Sequence, residues 1–362
     1  MSSSGWTAAA IYFVTFGIAV LVTSVATPLI QRLATHLGVT DRGEEERRMH
    51  AEPKPRIGGI AVFFGFACAL FAVLGFALAS PFALLPSALH ETHVKQIEVL
   101  SDQFATIHQL VGLLFGGLLI LGVGIWDDVM GMRPRNKFVA QILVAVISLF
   151  YGFIITGVTN PFNQNPNTNW IEFPLWAAIP LTVFWYVAMM NAINFIDGLD
   201  GLLAGVTVIS SVFIFAISVL HANPVVALVV IALAGSALGF LPYNFNPARI
   251  ILGDAGSLFI GYVFATVSII GASKQAIAIS VVVPLVVLAL PVLDTAAAIV
   301  RRAIAGKRIT EADRGHFHHQ LIFRFGLNVR QAVLLIYAVC FVLGAVALAL
   351  SGEFTHVFRH TT

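Results

Sequence analysis

Charge is what this sequence lacks. Only 10% of its 362 residues are Asp, Glu, Lys or Arg, against about 25% in ordinary soluble domains. A water-soluble globular protein is thereby excluded. Its 29 Phe residues and the aliphatics around them, within a 58% hydrophobic chain, exceed what the interior of a protein this size can hide, so the excess faces lipid. Cysteine is scarce too: Cys68 and Cys340 both lie in apolar runs, which excludes a disulfide framework and leaves two buried thiols. The net charge of +2 is too small for a nucleic-acid partner. No long hydrophilic stretch remains for a soluble domain, and no internal repeat suggests a transporter built from two related halves. The chain reads as one transmembrane domain, 1–362.

What it has is apolar runs of membrane-spanning length, about 20 residues each. Ten are expected, at 8–31, 58–79, 108–126, 138–157, 174–191, 203–220, 225–242, 256–271, 277–299 and 329–350. The fold class is all-α and polytopic. No basic residue precedes the first run, which is also long for a signal-peptide core, so it is expected as a retained helix despite Ser24-Val25-Ala26.

Ten spans sort the loops into two sets. The loops 32–57, 127–137, 192–202, 243–255 and 300–330 hold 17 of the 20 Lys and Arg residues; Lys95, Lys274 and Arg359 make up the other set. The positive-inside rule assigns the first set to the cytoplasm and both termini to the outside.

The same side carries the acids. Asp127 and Asp128 end the third run, Asp197 and Asp200 lie between the fifth and sixth, and Asp254 lies between the seventh and eighth. Five carboxylates on one membrane face repel one another unless cations sit among them, a pattern that suggests a divalent ion and a phosphate substrate. Each acid alone has a plainer reading as a helix cap. Neighbours on a helix point about 100° apart, so of Asp127 and Asp128 one is expected to face the reaction and the other to orient it. In Asn191-Ala-Ile-Asn194-Phe-Ile-Asp197-Gly-Leu-Asp200-Gly, polar groups recur every third residue and form a ridge along a helix surface, or alternatively a polar seam between helices. Asp254, before a Gly-Ser turn, suits Mg²⁺, which commonly takes one or two carboxylates and leaves its other positions to water and phosphate. The loop from Arg301-Arg302 to Arg314-Gly-His316-Phe-His318-His319 has no cysteine and abundant cations, which favours anion binding over zinc.

Taken in order, Arg48-Met-His50, Pro53-Lys54-Pro-Arg56-Ile-Gly-Gly59, Asp127-Asp128, Asn194-Phe-Ile-Asp197-Gly-Leu-Asp200-Gly, Asn244 to Asp254, and His316-Phe-His318-His319 resemble the polyprenyl-phosphate N-acetylhexosamine-1-phosphate transferases. The resemblance implies a bacterial inner-membrane enzyme with a cytoplasmic active site. It implies transfer of a sugar-1-phosphate from a UDP-sugar to undecaprenyl phosphate, release of UMP, and a Mg²⁺ requirement that Mn²⁺ could meet. On this resemblance Asp127, Asp128 and Asp197 are catalytic, and Asp254 with Asp197 binds metal. Substrate falls to His50, Lys54, Arg56, Asn191, Asn194, Asp200, Asn244, Arg301, Arg302, His316, His318 and His319. The implied fold is compatible with a homodimer among membrane lipids. Phe317 and Arg56 point to the UDP-GlcNAc branch rather than the phospho-MurNAc-pentapeptide branch, where three consecutive histidines and a Pro-Thr-Met-Gly-Gly-like loop are expected. The rival from another class, a cation-coupled transporter, needs carboxylates near mid-membrane on broken helices.

Overall fold

A computed structural model of the chain describes residues 3–40, 54–79, 93–159, 170–272, 302, 322 and 325–359. Its elements, in chain order, are α1 (Ser3–His36), α2 (Gly59–Ala79), α3 (His93–Met130), α4 (Pro134–Leu149), β1 (Gly157–Thr159), β2 (Trp170–Glu172), α5 (Leu175–Ile196), α6 (Leu202–Leu220), α7 (Pro224–Asn244), α8 (Gly253–Ala272) and α9 (Val329–Arg359). Eight of the described helices are long and apolar enough to cross a membrane, so the chain is an all-α polytopic membrane protein. With α4 they account for nine of the ten expected runs, and the run at 277–299 lies outside the described residues.

Several ends differ from expectation, each for a local reason. Helix α1 runs on to His36 and stops where Gly38 adopts φ +69°, with Val39 N–H donating to the Ala34 carbonyl at 2.9 Å, a left-handed glycine closure. Helix α3 begins at His93, so Lys95 is helical rather than in a loop. Residues 93–104 are polar, but rich in Lys, Gln, Glu and Leu, which keep a helix going past its apolar part. Helix α4 starts at Pro134, an N1 proline, and ends at Leu149. Gly152 at φ +80° then turns the chain, and part of the expected 138–157 run becomes a link to the antiparallel pair β1 and β2.

Small residues set the helix spacing, as they do where lipid gives no hydrophobic drive between helices. Gly235 and Gly239 on α7, a GxxxG pair, face α1 so closely that a Cβ on either would lie 2.6 Å from the carbonyl oxygen of Phe16 or Val20. Helix α8 is the hub: its span is 94% buried against 17% for α1, and it touches α2, α3, α5, α6 and α7. The C-terminal ends of α3, α5 and α7 therefore surround its N-terminus, and that end of the bundle holds the site.

Candidate active site

The N-terminus of α8 is fixed by a strand-like segment and a buried acid. Residues 54–59 thread between two stretches of backbone: Arg56 N–H donates to Val39 O, Ile251 N–H to Pro55 O, Gly58 N–H to Ile251 O and Gly59 N–H to Leu252 O, at 2.8 to 3.3 Å. The first N–H groups of a helix have no internal partner. Here Asp128, from α3, accepts those of Asp254 and Ala255, each at 2.9 Å. Its side chain is fully buried and is also paired with Arg56 Nε at 3.1 Å. Gly59, Gly124 and Gly256 permit this: a Cβ on Gly59 or Gly124 would collide with α8 backbone at residues 254–256.

Two helices hold the opposite oxygens of Asp254. Asn194 on α5 donates from Nδ2 to Oδ1 at 2.6 Å and to Ser257 Oγ at 2.7 Å. Lys137, in the first turns of α4, reaches Oδ2 at 2.7 Å and also Asp127 Oδ2 at 2.9 Å. The other oxygen of Asp127 accepts Met132 N–H at 2.7 Å, which closes the turn between α3 and α4.

A second cluster shapes the adjoining wall. Asp200 Oδ2 accepts from Lys54 Nζ at 2.9 Å, Asn246 Nδ2 at 3.1 Å and Ala248 N–H at 2.9 Å. Asn244 accepts from Gly201 N–H at 3.1 Å and donates to Ile250 O at 3.0 Å. Gly201, at φ +83°, makes the sharp entry into α6 that a residue with a Cβ adopts only at a cost. Helix α9 braces both sides of this wall, with Tyr337 hydroxyl on Gly201 O and Arg330 Nε on Asn246 O at 2.9 Å.

Between the clusters lies a cavity of about 980 Å³ lined by Asp127, Asp128, Asp197, Asp200, Asp254 and Arg56, among others. This is the upper end of small-ligand pockets, about 1,000 Å³. Asp197, the half-buried C-cap of α5, donates its backbone N–H to Asn194 O at 3.3 Å, while its carboxyl has no hydrogen-bond or ion-pair partner among the described residues. Burial first, then the charges of Asp254 and Asp128, push its carboxyl up to about 8. Five carboxylates here meet three described cations, Lys54, Arg56 and Lys137. With Asp197 holding its proton, four charged carboxylates face those three cations. No three acids close into a ready-made metal cluster among the described residues, but the excess negative charge and the oxygen donors are what a hard divalent ion takes.

The profile of glycosyl transferase family 4 matches residues 110–272, the stretch that carries all five aspartates. A probable undecaprenyl-phosphate N-acetylglucosaminyl 1-phosphate transferase of Bacillus subtilis is 33% identical over 94% of this chain and 85% of that protein. The chain belongs to glycosyl transferase family 4. Other relatives are a decaprenyl-phosphate N-acetylglucosaminephosphotransferase of Mycobacterium tuberculosis, 33% identical over 88% of this chain and 77% of that protein, and a phospho-N-acetylmuramoyl-pentapeptide-transferase of Desulforudis audaxviator, 29% identical over 92% and 96%. This family member is thus a membrane-embedded glycosyl-1-phosphate transferase.

Of the residues singled out in the sequence, the structure brings Arg56, Asp127, Asp128, Asn194, Asp197, Asp200, Asn244 and Asp254 to the one cavity, with Lys54 on its Asp200 wall. Asn191 does not line it: it turns to α4 and donates to Gln141 Oε1 at 2.5 Å. Arg302 is buried, and His50, Arg301, His316, His318 and His319 lie outside the described residues. Sequence reasoning missed Lys137, which reads as one more positive-inside charge in a basic turn. Its position just after Pro134, at the start of a helix that follows an Asp pair, was the available signal.

Proposed function

We propose that the chain transfers GlcNAc-1-phosphate from UDP-GlcNAc to undecaprenyl phosphate and releases UMP, at the cytoplasmic face of the bacterial inner membrane. The observation that carries this reading is the cavity at the helix ends lined by five aspartates, with the Asp197 carboxyl unpartnered among the described residues. The 17 of 20 basic residues on that side support the orientation, and the names of the relatives support donor and acceptor.

The acceptor phosphate oxygen attacks the phosphorus that bears the sugar, a bond forms there, and the bond to the bridging oxygen breaks so that UMP departs with the electron pair. Such a transfer needs alignment and charge neutralisation more than covalent chemistry by the protein. Mg²⁺, or Mn²⁺ in its place, held by Asp254 and Asp197, would supply positive charge to the diphosphate and the leaving group. Asp128 is committed to the α8 amides, so its work is to fix Asp254. Asp127, 13% exposed at its side chain, is the acid that orients the incoming lipid phosphate and takes any proton it still carries. Lys137 and Arg56 add fixed positive charge near the diphosphate. Lys54 and Asp200 hold the wall against which the nucleotide rests. Purified protein given UDP-GlcNAc, undecaprenyl phosphate and Mg²⁺ should release UMP, and EDTA should stop it. UMP release undiminished by EDTA would refute the metal's part, and none under any condition would refute the transfer.

A further inference from the structure

Helix α4 carries a polar stripe that the transfer chemistry does not use. Its buried residues are Gln141, Val144, Ala145 and Ser148, while Phe138, Val139, Leu143 and Phe150 at its end face outward. Lipid tails are as apolar as such side chains, so they do little to fix how a membrane helix is rotated, and polar bonds carry more of that task. Polar contacts from three of its residues tie α4 down: Lys137 to Asp127 and Asp254, Gln141 to Asn191 at 2.5 Å, and Ser148 to Tyr262 hydroxyl at 3.1 Å.

The middle bond lies directly beneath the site. Gln141 is four residues after Lys137 on α4, and Asn191 is three before Asn194 on α5, so each pair stacks on one helix face. Lys137 and Asn194 grip the two oxygens of Asp254, and one turn further from the cavity Gln141 and Asn191 join the same two helices. Gln141 is fully buried, and its Nε2 has no partner among the described residues. A buried donor without a partner is costly, so the useful atom of this side chain is its oxygen, which receives the Asn191 amide. The geometry points to Gln141 as a positioning residue that, through Asn191, sets the rotation of α4 and keeps the Lys137 ammonium on Asp127 and Asp254. This rests on the reading of Asp254 and Lys137 as parts of the transfer site.

The test compares Gln141→Met, which removes the acceptor, with Gln141→Glu, which keeps an acceptor oxygen, in the full chain in detergent. Lys137 labelling by a water-soluble N-hydroxysuccinimide ester, free of metal and substrate and followed by peptide mass spectrometry, reads its position directly. Loss of one membrane hydrogen bond changes such an equilibrium about three- to twenty-fold. Labelling should therefore speed up by about that factor in Gln141→Met and stay within about twofold of wild type in Gln141→Glu. The kcat for UMP release should fall by a similar factor with little change in KM for UDP-GlcNAc, and Gln141→Glu should restore it. A wild-type labelling rate in Gln141→Met overturns the proposal. So does a Gln141→Glu protein as impaired as Gln141→Met, because the Nε2 donor would then be the working atom. If Gln141→Met aggregates, Gln141→Asn, too short to reach Asn191, takes its place with the same expected labelling. Failure of wild type to release UMP would sink the transferase reading alone and leave the labelling result to decide for or against Gln141.

Discussion

Replacing Gly124 with Ala adds one methyl group three residues before Asp127 in the sequence, yet it should nearly silence the enzyme. The new Cβ would stand 2.5 Å from Ala255 N and 2.6 Å from the Asp254 carbonyl carbon, whereas ordinary contacts between such atoms need about 3.5 Å. Either α3 or the start of α8 must give by about 1 Å. That shift stretches the 2.9 Å bonds from the Asp254 and Ala255 amides to Asp128 beyond the hydrogen-bond range of about 3.2 Å and moves Asp254 relative to Lys137. A misplacement of about 1 Å in an active site can cost about 100-fold in rate, so kcat should fall by roughly that much. Overpacking costs about 1–3 kcal/mol of stability, offset by about 1 kcal/mol that Ala gains over Gly in a helix, so the protein should still fold. Gly122→Ala, on the same helix with open space at its Cβ, is the matched control and should keep wild-type turnover. The assay is UMP release per folded molecule, with folding checked by size exclusion. A Gly124→Ala enzyme as active as the Gly122→Ala control would refute the claim that the α3–α8 junction sets the site.

Three further outcomes are expected. Asp254→Asn keeps shape but loses the charge a hard cation needs. Turnover should drop by at least about 100-fold, and the Mg²⁺ concentration for half-activity should rise; normal turnover would remove Asp254 from the site. Without metal, thermal stability should fall as pH rises from about 4 to 8, because folded Asp197 keeps its proton up to about 8 while the unfolded carboxyl releases it near 4. The slope should flatten in Asp197→Asn, and an unchanged slope would contradict the assignment. Cysteines placed at Thr40 and Met132 should react with an impermeant thiol reagent only from the cytoplasmic side, and those at Glu172 and His221 only from outside; labelling of Met132 and Glu172 positions from the same side would break the topology.

The helices were legible because each apolar run is long and sharply bounded, and the shared membrane side of the five aspartates followed from loop counting alone. Side-chain direction was not legible. Asn191 belongs to the same every-third-residue series as Asn194 and Asp197, but it faces α4, because a series spaced by three drifts around a helix with 3.6 residues per turn. The two candidate roles of the Asp127-Asp128 pair separated only once α8 was seen to end on Asp128. Lys137 was hidden for the opposite reason: basic residues abound on that side, and its place just after Pro134, at the start of the helix that follows the Asp pair, was the one cue that set it apart. The tight approach at Gly59 and Gly124 could not be read either, since the partner backbone lies more than 100 residues away in sequence.

The most direct test of the account is where a label on the sugar-bearing phosphorus goes. UDP-GlcNAc carrying ³²P at its β-phosphorus, incubated with the purified protein, undecaprenyl phosphate and Mg²⁺, should deliver the label to the lipid extract and leave unlabelled UMP in water. Label retained in water-soluble UDP while the sugar appears on lipid would contradict the account, because it would mean that the sugar, and not the sugar phosphate, is transferred.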